Sequence, residues 1–145
     1  MTLTTLQLSK PYGKLAFREV GSGLPVVLIH GVGMQSAAWM PQIDALSKTH
    51  RVIALDMPGH GGSAPLRQGA QLPEFVDWLR AAMDALGLKR VSLAGHSMGA
   101  LIAMGFATNH TTRLDRVALL NGVWRRTPEA RAAVERRAAQ IQDGA

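Results

Sequence analysis

Apolar residues along the chain gather into short continuous runs, separated by stretches in which they return every third or fourth position. Val26–Ile29, Val52–Leu55, Val91–Ala94 and Val117–Leu120 are four-residue runs without a charge, the pattern of strands buried on both faces. Between the runs the period lengthens. Trp39, Ile43 and Leu46 fall on one helical face, with Ser36 expected as the N-cap. Val76, Leu79, Met83 and Leu86 repeat at helical spacing between Pro73 and Gly87, residues suited to a helix start and a C-cap. Met98–Ala107 is apolar nearly all round. Ahead of these, Leu6–Ser9 and Leu15–Val20 flank Pro11, Tyr12 and Gly13, which predicts an N-terminal hairpin. After the last run, Thr127 and Pro128 open an Arg- and Ala-rich helix with Ala130, Val134, Ala138 and Ile141 on one face.

Each charge-free run is joined to the next by a segment of helix length, the connection that parallel strands require. The fold class is therefore α/β with a mainly parallel sheet and flanking helices. A length of 145 residues fits one domain and leaves no room for two. The formal charge of +6 raises nucleic acid as a partner. The excess lies mostly in Arg125, Arg126, Arg131, Arg136 and Arg137, with Glu129 and Glu135 interspersed, so a solvated helix is expected rather than a nucleic-acid surface. The absence of cysteine excludes thiolate chemistry and a disulfide framework. Met1–Lys14 has no apolar core behind a basic start, so no secretory signal is expected and the location is read as cytoplasmic. Val91–Asn109 lacks Asp, Glu, Lys and Arg. Its Ser92, Gly95, His96, Ser97 and Gly99 fit a buried strand, turn and helix better than a membrane span.

The chemistry concentrates at two of the junctions. Gly95-His96-Ser97-Met98-Gly99 follows a predicted strand and opens a predicted helix, the context that gives a G-x-S-x-G sequence its meaning. A sharp turn there lifts the Ser97 hydroxyl above the sheet edge, and the helix N-terminus aims amide N–H groups at the same point. His30-Gly31-Val32-Gly33-Met34 follows the first buried run. Its glycines let the backbone approach a substrate, and the backbone N–H groups of Val32 and Met98 are the expected oxyanion donors. No His, Asp or Glu cluster has metal-ligand spacing, and no cofactor is expected.

These residues resemble the α/β-hydrolase superfamily. The likeness covers essentially the whole chain: IHGVG, the Asp56–Ser63 stretch DMPGHGGS, GHSMG and VALLNG. It is nearest in kind to the single-domain 3-oxoadipate enol-lactonases, cofactor-free haloperoxidases and C–C bond hydrolases. Dehalogenases and epoxide hydrolases of the superfamily carry Asp where this chain has Ser97. The resemblance implies a serine hydrolase that cleaves an ester, lactone or related acyl bond of a small molecule through an acyl-enzyme. It also gives Asp56 a loop-fixing position, and makes residues 1–124 the core through strand six and 125–145 the start of a cap. Trp124 is then a candidate for the pocket wall or for the core.

A serine nucleophile needs a histidine base and an acid to orient it, in the family order Ser, acid, His. The resemblance puts both after strands that would follow strand six, so the fold is expected to stop short, with acid and base absent. His110 lies about 15 Å along a helix from Ser97, His30 and His60 read as loop-holding, and His96 as packed beside the turn. His50 reads as a surface residue. Strand six is then expected to expose an unpaired edge, Val117–Leu120, that binds a complementary half or a second copy. The other reading is a non-catalytic remnant serving as a binding or assembly module.

Overall fold

The computed structural model describes residues 1–123 and 125–142. One sheet carries six strands: β1 (Thr4–Gln7), β2 (Lys14–Val20), β3 (Pro25–Ile29), β4 (Arg51–Leu55), β5 (Val91–His96) and β6 (Leu114–Leu120). Their order across the sheet is β1-β2-β4-β3-β5-β6. The hairpin β1–β2 is antiparallel and sits antiparallel on β4, while β4, β3, β5 and β6 run parallel. Four helices accompany them: α1 (Met40–Leu46), α2 (Leu72–Ala85), α3 (Met98–Asn109) and α4 (Pro128–Gln142). The α/β class and the mainly parallel sheet are as expected.

Both faces of the central strands carry apolar side chains. Val27, Ile29, Ile53, Leu55 and Leu93 pack with Trp78, Leu79, Met83, Ile102 and Phe106 of α2 and α3. Val26, Leu28, Val52 and Ala54 pack with Trp39 and Ile43 on the other side. Full burial of one such side chain contributes about 1.5–3 kcal/mol, which is why a continuous apolar run without alternation holds the middle of the sheet.

Local signals place the helix ends. In α2, Pro73 sits in the first turn, the Glu74 side chain accepts the Gln71 N–H, and Gly87 just past the end adopts φ +70°. Ser36 departs from expectation. It is not an N-cap but the buried first residue of a 3-10 turn, Ser36–Trp39, that precedes α1. Its N–H is bonded by the Asp56 carboxylate at 2.7 Å, a partner twenty residues away that local pattern does not reveal. The hairpin strands also begin earlier than expected, at Thr4 and Lys14, and β6 reaches back to Leu114. On α4, Ala130, Val134 and Ala138 are exposed, and the side chain of Ile141 lies outside the described residues, as does Trp124.

Strand order puts a reversal at the centre of the sheet. From β3 the chain goes to β4 on one side, and from β5 to β6 on the other. Connections leaving adjacent parallel strands in opposite directions open a crevice at their carboxyl ends, where α/β proteins bind ligands. The two sequence motifs stand at the two lips of that crevice.

Candidate active site

Ser97 links β5 to α3 and holds φ 57°, ψ −116°, a conformation that L-residues other than glycine rarely adopt and that costs of order 1–3 kcal/mol. The surroundings hold it there. Its N–H donates to the Leu120 carbonyl of β6 at 2.9 Å, and its own carbonyl accepts the Ala100 N–H at 3.0 Å. A side chain at Gly95 would overlap the Gly99 carbonyl oxygen. One at Gly99 would overlap that of Ile29 and stand 2.7 Å from that of His30. Only glycine at both positions allows α3 to start this close to β3 and β5. The Ser97 side chain is exposed at the end of this turn.

The loop after β3 lies against the turn. A Cβ on Gly31 would stand 3.1 Å from Ser97 Cβ, so the backbone on either side of Gly31 borders the serine. Val32, the next residue, is 62% exposed, and Met98 is the first residue of α3. Among the described residues neither the Val32 nor the Met98 N–H donates to a partner. In Met98 this is the ordinary consequence of heading a helix.

A buried polar frame fixes this loop. His30 Nδ1 donates to the Gly31 carbonyl at 2.7 Å, and Nε2 accepts the Met57 N–H at 3.0 Å. Burial, the largest influence, holds the His30 pKa below its usual value, in keeping with a neutral ring that donates at one nitrogen and accepts at the other. His60 does the same from the neighbouring loop, donating to the Pro58 carbonyl and accepting the Gly33 N–H, each at 3.0 Å. The Asp56 carboxylate is fully buried and accepts the N–H of Ser36 and of Gly62. Ser63 adds a bridge, its hydroxyl donating to the Asp56 carbonyl at 2.7 Å and accepting the Ala16 N–H at 2.9 Å. His30, His60 and Asp56 thus spend their polar atoms on backbone.

The remaining histidines are elsewhere engaged. His110 caps the far end of α3, its ring 4.9 Å from that of Phe106, and His50 bonds the Thr49 hydroxyl. His96 packs beside the turn with Nε2 accepting from the Asn121 amide at 3.2 Å. Asn121 and Trp39 are the residues that sequence reasoning missed. Asn121 takes φ 52° just after β6, and an Asn-Gly pair after a strand was its only visible signal. Trp39 lines a cavity of about 210 Å³ with Met34, Ala38, Gln42, His96 and Leu120. Among the described residues no three His, Cys, Asp or Glu gather as a metal would need, and no helix is long and apolar enough to cross a membrane.

Known proteins resemble this chain in sequence and in fold. Over 144 residues the chain is 51% identical to (E)-2-((N-methylformamido)methylene)succinate hydrolase of Acinetobacter baylyi, covering 99% of this chain and 54% of that one. It is 34% identical over 119 residues to the putative carbamate hydrolase RutD of a Caulobacter species, covering 81% of this chain and 44% of the relative. A thermophilic esterase from Thermogutta terrifontis superposes with a TM-score of 0.82 at 30% identity, over 97% of this chain and 53% of the esterase. The chain spans about half the length of the curated relatives it matches. Residues 25–144 match the family model of the alpha/beta hydrolase fold, and the chain belongs to the α/β-hydrolase family.

Proposed function

We propose that the protein is a serine hydrolase acting on a carboxylic ester, a lactone or a related acyl bond of a small molecule. The observation that carries this reading is the exposed Ser97, held at positive φ on a strand-to-helix turn whose two flanking glycines admit no side chain. The Ser97 hydroxyl oxygen adds to the acyl carbon and its proton passes to an imidazole. The Val32 and Met98 N–H groups hold the oxyanion, and collapse expels the leaving group, which takes that proton from the imidazolium, to give acyl-Ser97 and the neutral imidazole. Water deprotonated by the same imidazole then releases the acid.

The imidazole and its orienting carboxylate come, on this reading, from positions beyond residues 1–145, in continuing sequence or a complementary chain. The frame around His30, His60 and Asp56 supports this, since none of the three has a free role to give. The relatives named for hydrolysing a substituted succinate and a carbamate support the hydrolase class. The first of them favours a derivative of a small organic acid.

A fluorophosphonate probe should label the complete protein at Ser97, and Ser97→Ala should abolish the label. A folded, complete protein that takes no label overturns the proposal. That outcome would favour the second reading, a binding or assembly module, for which the engagement of His30, His50, His60 and His110 away from Ser97 is the supporting observation.

A further inference from the structure

Packing does little to hold the turn that carries the Val32 N–H. Val32 and Met34 are 62% and 40% exposed, and a Cβ built on Gly33 would meet nothing within 4 Å. The Met34 N–H donates to the Gly31 carbonyl at 3.2 Å, and Gly33, in the third position, has φ +80°. A turn closed between its first and fourth residues, with positive φ at the third and not at the second, is of type II. Glycine adopts negative φ as readily as positive, so Gly33 by itself would let the Val32–Gly33 peptide flip and the turn pass to type I. The stretch borders the nucleophile, since a Cβ on Gly31 would stand 3.1 Å from Ser97 Cβ.

Two histidines fix what packing leaves free. A trans peptide is planar, with its C=O and N–H pointing in opposite directions. His30 Nδ1 donates to the Gly31 carbonyl at 2.7 Å, which sets the plane that carries the Val32 N–H. His60 Nε2 accepts the Gly33 N–H at 3.0 Å, which sets the next plane. Val32 is thus clamped through both of its peptides although its side chain is exposed. His60 is itself anchored, with Nδ1 donating to the Pro58 carbonyl at 3.0 Å and its ring 5.3 Å from that of His30. With the proton on Nδ1, Nε2 can only accept. A flip of the Val32–Gly33 peptide would turn the Val32 carbonyl toward that lone pair and set acceptor against acceptor, so His60 selects type II.

We infer that His60 is a positioning residue for the reaction: by accepting the Gly33 N–H it keeps the Gly31–Met34 turn in its type II form and so pre-organises the Val32 N–H that holds the oxyanion. Without this bond ψ of Val32 and φ of Gly33 are released, and the donor is left to the single clamp at His30. A donor that must reorganise as charge develops stabilises it less than one already in place. The inference rests on the serine-hydrolase reading for the oxyanion, while the turn and its two clamps stand on their own geometry.

The kinetics of fluorophosphonate labelling of the complete protein test it, with reversible binding (KI) separated from the bond-forming rate (kinact). His60→Leu, which offers no acceptor, should lower kinact about 10- to 30-fold, short of the roughly 100- to 1,000-fold that deleting an oxyanion donor costs, and leave KI unchanged. His60→Gln, whose side-chain carbonyl can accept the Gly33 N–H, should recover most of that loss. If His60→Leu fails to fold, Gly33→Ala makes the test from the turn itself. The space for its methyl group is open, but alanine resists positive φ, so kinact should fall, and fall less in Gly33→Asn, which tolerates that conformation. An unchanged kinact in a folded His60→Leu or Gly33→Ala protein overturns the inference. So does a loss in His60→Leu that His60→Gln fails to recover, which would make the ring a packing element. A wild-type protein that takes no label sinks the serine-hydrolase reading and the inference with it, whereas wild-type labelling that is indifferent to His60 sinks the inference alone.

Discussion

The two faces of the sheet are made by the same strands and finished differently. Under α2 and α3, the inward side chains of β3, β4 and β5 are almost completely buried. On the opposite face, Trp39 and Ile43 cover Val26, Leu28, Val52 and Ala54, but the cover stops short of β6. There a groove of about 360 Å³ opens over residues that include Leu28, Ala94, Val117 and Ala118. Along β6 itself, Val117, Leu119 and Leu120 are 38%, 44% and 43% exposed. One face of the fold is closed by its own helices. The other is left open beside β6, which among the described residues has no strand on its outer edge.

The contrast can be broken or sharpened by substitution. Phe106→Ala on the closed face should cost about 3–5 kcal/mol, read as a lower denaturation midpoint at unchanged slope. A loss below about 1 kcal/mol would mean that this face is no better packed than the other. Acid should act next, through His30 at the boundary between the two halves. Its folded pKa is lowered, so the folded state prefers the neutral ring and the unfolded chain binds the proton first. Stability should hold above the ordinary value of 6.5, fall as the pH drops below it, and level off once the folded form is protonated too. The slope should reach at most one proton and shrink in His30→Gln, measured by urea denaturation between neutral and mildly acidic pH.

Ser97→Gly should raise stability by about 1 kcal/mol by releasing the positive-φ strain while removing fluorophosphonate labelling. Equal or lower stability would show that the turn is not strained. The smallest effect on stability belongs to the open face: Ala118→Lys, at an exposed position in register with Ala94 and Leu28, should change it by less than about 0.5 kcal/mol. The same substitution should shift the lone chain from self-associated toward monomer in size-exclusion chromatography with light scattering. A wild-type chain that is already a stable monomer would show that β6 does not recruit a partner.

What the sequence disclosed follows the same division. The buried strands, α2 and the Ser97 turn were legible because burial on both faces, helical spacing and paired glycines act within a few residues. Ser36 was misplaced as a cap because its partner, Asp56, is distant in the chain and becomes a neighbour only when β3 and β4 pair. β6 reads longer in the structure than in its apolar run, since Asp115 and Arg116 lie at an exposed edge that demands no apolar pattern. The cavity that Trp39 lines was illegible for a related reason. Trp39 shows a helical period that reports burial, and nothing in that period tells that its ring also borders a cavity with residues of β5 and β6.

The bond from the Ser97 N–H to the Leu120 carbonyl ties the serine to the last residue of the edge strand. Mechanically, the turn is a needle mounted on that strand. A strand that pairs with β6 should therefore change the reactivity of Ser97. The rate of fluorophosphonate labelling, followed as a complementary chain is added, would then read the docking of a neighbour that makes no contact with the hydroxyl.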